Sequence, residues 1–254
     1  MKTLENKVVI ITGAAMGMGQ ATALLFAEEG AKVVVADFNE EGGKSVVEEI
    51  TAKGGTAAFC KVDISKADQV EAMVKFAVKT YGRLDCAVNN AALKPDNNSF
   101  QELDEEYWDR LQAVDLKGTA LCIKYEIRQF IEQGNGGAIV NISSINAFKP
   151  TLGNPAYQAF KHGVEGLTKA AAFEYGTKGI RINSVAPGAI RTPMLTSALK
   201  SLGITEKDII PTMSLVGRLG EPREVAQGSL FLCSDAASYV HGTVLHVGGG
   251  FELL

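Results

Sequence analysis

The sequence predicts an α/β fold: one domain built on a doubly wound parallel sheet with helices on both faces. Three observations carry this. Short β-branched apolar runs alternate with longer amphipathic stretches along the whole chain. The short runs are apolar on both faces, as strands buried between two helix layers must be. No Pro-, Gly- or Ser-rich linker, repeat or low-complexity segment divides the 254 residues, so 1–254 reads as one domain.

The elements follow in order. KVVIIT (7–12) is the first strand, and a helix from about Gly17 to Glu29 follows it. KVVVA (32–36) precedes a helix over about Glu40 to Lys53, and AAFCKV (57–62) precedes one from about Ala67 to Tyr81. LDCAV (84–88) leads into one long helix within about Asp104 to Gln133. GAIVNIS (137–143) comes before a helix from about Pro155 to Tyr175. IRINSV (180–185), a helix near Pro222 to Cys233, and GTVLHV (242–247) complete the pattern. Right-handed crossovers join parallel strands in this way, and such sheets bind ligands at the carboxyl ends of their strands. Attention therefore falls on the segments just after residues 12, 36, 62, 88, 143 and 185.

A net charge of -4 and scattered basic residues leave no electrostatic footprint for nucleic acid or an anionic membrane. A small molecule is the expected partner. The opening MKTLENKVVIITGAA has no basic region leading into a long apolar core, and no apolar run reaches the roughly 18 to 20 residues of a membrane span, so a soluble, cytoplasmic protein is expected. Cys60, Cys86, Cys122 and Cys233 form no C-x-x-C pair and are expected to be reduced and buried. His162, His241 and His246 lack companions at ligand spacing, so no metal is expected.

After the first strand, TGAAMGMG places Gly13, Gly17 and Gly19 in a turn that opens a helix, with Met16 and Met18 in the same loop. Glycines let the backbone turn sharply and let a pyrophosphate approach amide N–H groups at the positive helix end. The second strand ends in Asp37, 18 residues past Gly19, where a carboxylate accepts the ribose hydroxyls of an adenosine. A 2′-phosphate would be repelled there, and Met16 and Phe38 offer it no cation, so NAD is expected over NADP. The competing reading of Asp37 is a helix cap before NEEGG. After the third strand, Asp63 and Ile64 are placed to meet the adenine, and Asp63 is also a candidate cap for the helix near Ala67. In NNAA, Asn89 and Asn90 can tie strand ends together while Ala91 and Ala92 let a cofactor pass closely. In AYQAFKHG, Tyr157 and Lys161 share one helix face, although such a pair also arises by chance.

TGAAMGMG, NNAA, NISS, YQAFK and NSVAPGAIRT, in this order and at these spacings, resemble the short-chain dehydrogenase/reductase family over essentially the whole chain. The resemblance implies a seven-stranded Rossmann sheet, with Tyr157 as general acid/base and Lys161 as its activator and ribose holder. Ser144, 13 residues before Tyr157, would donate to the substrate oxygen, while Ser143 ends the strand. A free phenol titrates near about 10, and a neighbouring ammonium and a cationic nicotinamide both favour the phenolate, so the pairing makes chemical sense. Main-chain groups near Pro187, Gly188 and Ile190, with the Thr192 hydroxyl, would orient the nicotinamide carboxamide. The family's usual assembly implies a homotetramer.

The chain departs from the family pattern at four places. Asp115 stands where the long fourth helix usually has asparagine; it is read as a member of the proton path whose charge alters the titration of Lys161. Ala92 replaces a glycine and needs a negative φ. Phe160 replaces a serine and is expected to change packing on the outer face of its helix. Gly248, often aspartate, is expected to bear on subunit contacts. The stretch 192–216 is the expected variable substrate lid, with Met194, Leu195, Leu199, Leu202 and Met213 either covering the substrate or packing as helix core. Asn146, Ala147, Asn154 and Ala189 are further candidates for the pocket. With no arginine cluster beyond Arg191, a bulky or cyclic secondary alcohol and its ketone are the expected substrate class. A 3-oxoacyl thioester reductase is the alternative within enzymology, and a non-catalytic NAD-sensing protein the alternative outside it.

Overall fold

The computed structural model describes residues 2–254. Seven parallel strands form one sheet in the order β3-β2-β1-β4-β5-β6-β7: β1 Val8–Thr12, β2 Lys32–Asp37, β3 Thr56–Lys61, β4 Cys86–Asn89, β5 Gly137–Ile142, β6 Ile180–Pro187 and β7 Val244–Val247. This is the predicted Rossmann-type α/β fold. Chain order runs outward from β1 to β3, then returns to β4 beside β1. That reversal opens a crevice at the carboxyl ends of β1 and β4.

Alternation along β1 shows how the sheet is covered. Val9 and Ile11 face one core, with Phe26 of α1 (Gly17–Glu28), Ile50 of α2 (Glu40–Ala52) and Val225 of α9 (Pro222–Cys233). Val8 and Ile10 face the other, with Met73 of α3 (Ala67–Tyr81), Phe130 of α5 (Thr119–Gln133) and Ala172 of α6 (Pro155–Tyr175). Each fully buried aliphatic side chain contributes about 1.5–3 kcal/mol, so the two layers hold the strand ends in fixed register.

The long fourth helix differs from expectation. α4 (Glu105–Leu111) and α5 are joined by a π-helical segment, Gln112–Gly118, with Asp115 at its middle. The wider turn carries one extra residue and resets which side chains face the sheet, a feature that a 3.6-residue periodicity does not encode. Thr119 Oγ1, at the start of α5, donates to the Asp115 carbonyl at 2.8 Å.

Phe160 also corrects the expectation. It is buried, with its ring edge-on to Trp108 at 4.7 Å, and it packs with Leu111 and Ala156 between α4 and α6. The 192–216 stretch forms α7 (Pro193–Leu202) and α8 (Glu206–Met213), whose Leu199 and Ile209 pack on Leu219 as a small core of their own. Leu195 and Met213 pack against it, while Met194 and Leu202 stay exposed. Cys86, Cys122 and Cys233 are buried and free; Cys60 is only partly buried because β3 is an edge strand. Among the described residues, no helix is long and apolar enough to cross a membrane.

Candidate active site

A cavity of about 630 Å³ opens at the carboxyl ends of the strands. Gly13, Met16, Gly17, Met18, Asp37, Asp63, Ile64, Asn90, Ala91, Tyr157, Lys161 and Thr192 line it, so residues from six separate segments meet in one place.

The glycine turn is built for a close ligand. Gly17 has φ 59°, and a Cβ on Gly19 would lie 2.1 Å from the Gly13 carbonyl oxygen, so neither accepts a side chain without strain. Met16, the N-cap of α1, provides no side-chain hydrogen bond, which leaves first-turn amides free for an anion. Asn90 Nδ2 donates to the carbonyls of Thr12 and Gly13 at 3.0 Å, and Thr12 Oγ1 accepts from the amides of Asn90 and Ala91. Asp37 accepts from Ala15 N and Asn39 N at 2.9 and 2.8 Å. Asn39, and not Asp37, caps α2, and Asp37 lines the cavity with acceptor capacity to spare on both oxygens. Asp63 accepts from Ser65 N and Oγ and does not cap α3, whose N-cap is Lys66. An uncapped helix start, a turn that excludes side chains and a carboxylate at the end of β2 together suit a dinucleotide's pyrophosphate and ribose.

At the other end, Lys161 Nζ lies 5.4 Å from the Tyr157 ring centroid and donates to the Ile142 carbonyl at 3.2 Å. Asp115 is fully buried. Its Oδ1 accepts from Leu93 N at 2.9 Å, while Oδ2 makes no hydrogen bond and stands 3.6 Å from Lys161 Nζ. Burial pushes the Asp115 carboxyl above the usual carboxylate range, and the Lys161 ammonium opposes that shift.

Several expected residues lie outside the lining. Gly19 packs under the turn, and Asp115 stands behind Lys161. Pro187 ends β6, Gly188 donates to the Val247 carbonyl at 3.1 Å, and buried Ile190 bridges to Gly220. Ser144 Oγ accepts from Asn146 N at 3.1 Å, and its proton has only a long 3.4 Å contact to Asn146 Oδ1. Asn146, Ala147, Asn154 and Ala189 are not lining residues either. Ala92 keeps a φ outside the left-handed region, as its replacement of glycine requires. Gly248 is half-buried, and a Cβ there would sit 2.8 Å from Ile145 Cγ1 and 3.1 Å from Glu252 Oε2.

Sequence reasoning missed Phe38, Val62, Leu93, Val114 and Arg110 as lining residues, and it gave Ser143 only a structural place. Ser143 Oγ is buried, has no hydrogen-bond partner and lies in the cavity wall. Arg110 sits three and four residues before Ala113 and Val114, so helical spacing alone pointed it to the same face.

The chain's residues 13–252 match a family model described as "Enoyl-(Acyl carrier protein) reductase". The "Short chain dehydrogenase/reductase astE" of Aspergillus oryzae is 45% identical over 253 residues, covering 99% of this chain and 97% of that protein. This chain belongs to the short-chain dehydrogenase/reductase family. Other members similar to it include a cyclohexanol dehydrogenase of Acinetobacter sp., 45% identical over 97% of this chain and 95% of that protein. A 3-oxoacyl-[acyl-carrier-protein] reductase of Thermotoga maritima is 41% identical over 98% of this chain and 99% of that one. Among solved structures, levodione reductase superposes with a TM-score of 0.92 at 37% identity, covering 98% of this chain and 99% of that one. As a short-chain dehydrogenase/reductase the protein is an oxidoreductase, and dehydrogenases of this family use a nicotinamide cofactor.

Proposed function

We propose that this protein is an NAD-dependent dehydrogenase that interconverts a secondary alcohol, cyclic or bulky, and its ketone, with Tyr157 as general acid/base. The observation that carries the reading is the single cavity with Asp37 at one end and the Tyr157–Lys161 pair at the other. When bound, the nicotinamide accepts or returns the hydride. In oxidation the ionised oxygen of Tyr157 takes the alcohol proton and becomes the hydroxyl. Lys161 would hold the ribose hydroxyls and presents its ammonium beside the Tyr157 ring. Ser144, whose oxygen is steadied by Asn146 N, donates its proton to the substrate oxygen and orients it. Thr192, which lines the cavity, would face the carboxamide, with the main-chain groups of Pro187, Gly188 and Ile190 in the segment that leads to it. Gly13, Met16, Gly17, Met18 and Gly19 form the pyrophosphate turn, and Asp63, Ile64, Asn90 and Ala91 border the adenosine half.

Features of the mouth support this substrate class. Arg191 is engaged by Glu206 and Glu221 and is not a lining residue, Pro193 and Met194 present apolar surface, and Arg110 adds a guanidinium to the cavity wall. Cyclohexanol dehydrogenase among the relatives supports a ring alcohol. The Thermotoga relative favours 3-oxoacyl thioester reduction as a second reading, which usually draws on NADPH, and Asp37 opposes that cofactor. A homotetramer in the cytoplasm, with 192–216 as the lid of one continuous domain, completes the proposal. Exposed Phe173 on α6 and Ile131 on α5 support association.

The test is a panel of cyclic secondary alcohols and a 3-oxoacyl thioester, run with NAD(H) and NADP(H) in parallel. NADH formation from cyclohexanol-type alcohols is expected. Equal or better turnover with the phosphorylated cofactor would overturn the role of Asp37. Tyr157→Phe should lower turnover by at least roughly 10²-fold while NAD still binds; substantial residual activity would overturn the general acid/base role.

A further inference from the structure

α6 carries both Tyr157 and Lys161, yet its start lacks a local cap. Asn154 is the N-cap position with no side-chain cap hydrogen bond; its Oδ1 is taken by Thr151 Oγ1 and Gln158 Nε2. Pro155 has no N–H, and Gln158 N already bonds the Asn154 carbonyl at 3.1 Å. The donors left over in the first turn are therefore the amides of Ala156 and Tyr157. Both go to one carboxylate from a distant loop: Ala156 N donates to Asp96 Oδ2 at 3.1 Å, and Tyr157 N to Asp96 Oδ1 at 3.0 Å. Asp96 is itself 8% exposed, so the two bonds are made out of water.

The loop that brings Asp96 there is tied to the glycine turn, to Asp115 and to α4. Asn90 and Ala91 at its root hold the glycine turn through Thr12. Leu93 N donates to Asp115, and Tyr107 Oη of α4 donates to the Lys94 carbonyl at 2.8 Å. Asp96 is the last link, and it ends on the backbone of the tyrosine. We propose that Asp96 is a positioning residue for Tyr157: its carboxylate replaces the missing cap of α6 and sets where the phenol stands relative to the nucleotide cradle. The inference rests on the assignment of Tyr157 as general acid/base. Placement to within about an ångström governs turnover, so loss of Asp96 reduces kcat and leaves cofactor affinity in place.

The experiment uses the full chain with NAD and cyclohexanol, and compares Asp96→Ala, Asp96→Asn and Tyr157→Phe with the unaltered protein below the melting temperature of each. Asp96→Ala should lower kcat roughly 30- to 100-fold, with the alcohol KM and NAD Kd each within about threefold. Asp96→Asn keeps one acceptor oxygen and should recover part of the loss, to within roughly tenfold of the unaltered enzyme. Amide hydrogen exchange at Ala156 and Tyr157 should rise at least about tenfold, with the middle of α6 unchanged. A folded Asp96→Ala enzyme with kcat within about twofold of normal would overturn the proposal, as would a kcat loss matched by equal loss of NAD affinity. Where Asp96→Ala does not fold, an unchanged kcat in Asp96→Asn overturns it and a reduced kcat with unchanged Kd supports it. An active Tyr157→Phe enzyme overturns the reading of Tyr157 itself. Unimpaired Asp96 variants beside an inactive Tyr157→Phe overturn only the role of Asp96. Absence of turnover by the unaltered protein overturns the proposed function and this inference with it.

Discussion

Asp115 places a buried carboxylate directly behind the lysine of the site, and its charge is the chain's clearest chemical departure from its family. One oxygen is satisfied by Leu93 N; the other has only the 3.6 Å approach of Lys161. An amide would still accept from Leu93 while removing the negative charge that offsets the ammonium. In Asp115→Asn, Lys161 then acts on Tyr157 uncompensated and the phenolate is favoured. The acidic limb of the oxidation pH–rate profile should move to lower pH, by about half a unit to one unit. Superimposable profiles for the two proteins would show that the carboxylate takes no part. Spacing made Tyr157, Lys161 and Asp37 legible, because i,i+4 on a helix and the end of a strand are local facts. The open hydroxyl of Ser143 was not, since what a side chain lacks as a partner depends on neighbours far away in sequence.

Helix α6 shows the same division among elements. Its existence and extent followed from pattern, but the face on which Phe160 sits did not. The ring fills a space between α4 and α6 against Trp108, Leu111 and Ala156. Phe160→Ala should cost about 3–5 kcal/mol, because the packed aromatics around it cannot close the void. Phe160→Ser should cost at least as much, since a hydroxyl would enter an apolar cluster. Thermal unfolding checks both; a melting temperature within about 2 °C of normal would place the ring outside the load of the core. The π-helical segment lies beside this cluster. Its extra residue positions Asp115 toward Lys161, and only backbone hydrogen bonding across a completed helix reveals it.

Across the whole molecule, a buried polar chain links the strand ends to the helix layer. Glu126 Oε2 accepts from Asn89 Nδ2 at 3.0 Å, Asn89 Nδ2 also donates to Asn141 Oδ1, and Asn141 Nδ2 donates to Thr168 Oγ1 at 2.9 Å. Burial pushes the Glu126 carboxyl up to about 8 from an ordinary 4.5. The folded state therefore holds a proton that the unfolded chain releases, and stability falls as pH rises from about 4.5 through about 8. Glu126→Gln keeps an oxygen for Asn89 and cannot ionise. Its melting temperature should gain on the unaltered protein progressively across that window; a constant difference at every pH would rule out ionisation of Glu126 as the cause.

The amino-acid sequence by itself determined the order of strands and helices along the chain, the glycine turn after β1, the acidic end of β2 and the shared face of Tyr157 and Lys161. Each is written in short-range spacing: a period of two or 3.6, a glycine where the chain must turn, a residue one helical turn from another. Only the tertiary structure decided that Asp96 reaches the start of α6, that Phe160 lies inside, and that Ser143 faces the cavity without a partner among the described residues. These depend on contacts between segments tens of residues apart, and no local pattern carries the register in which such segments meet.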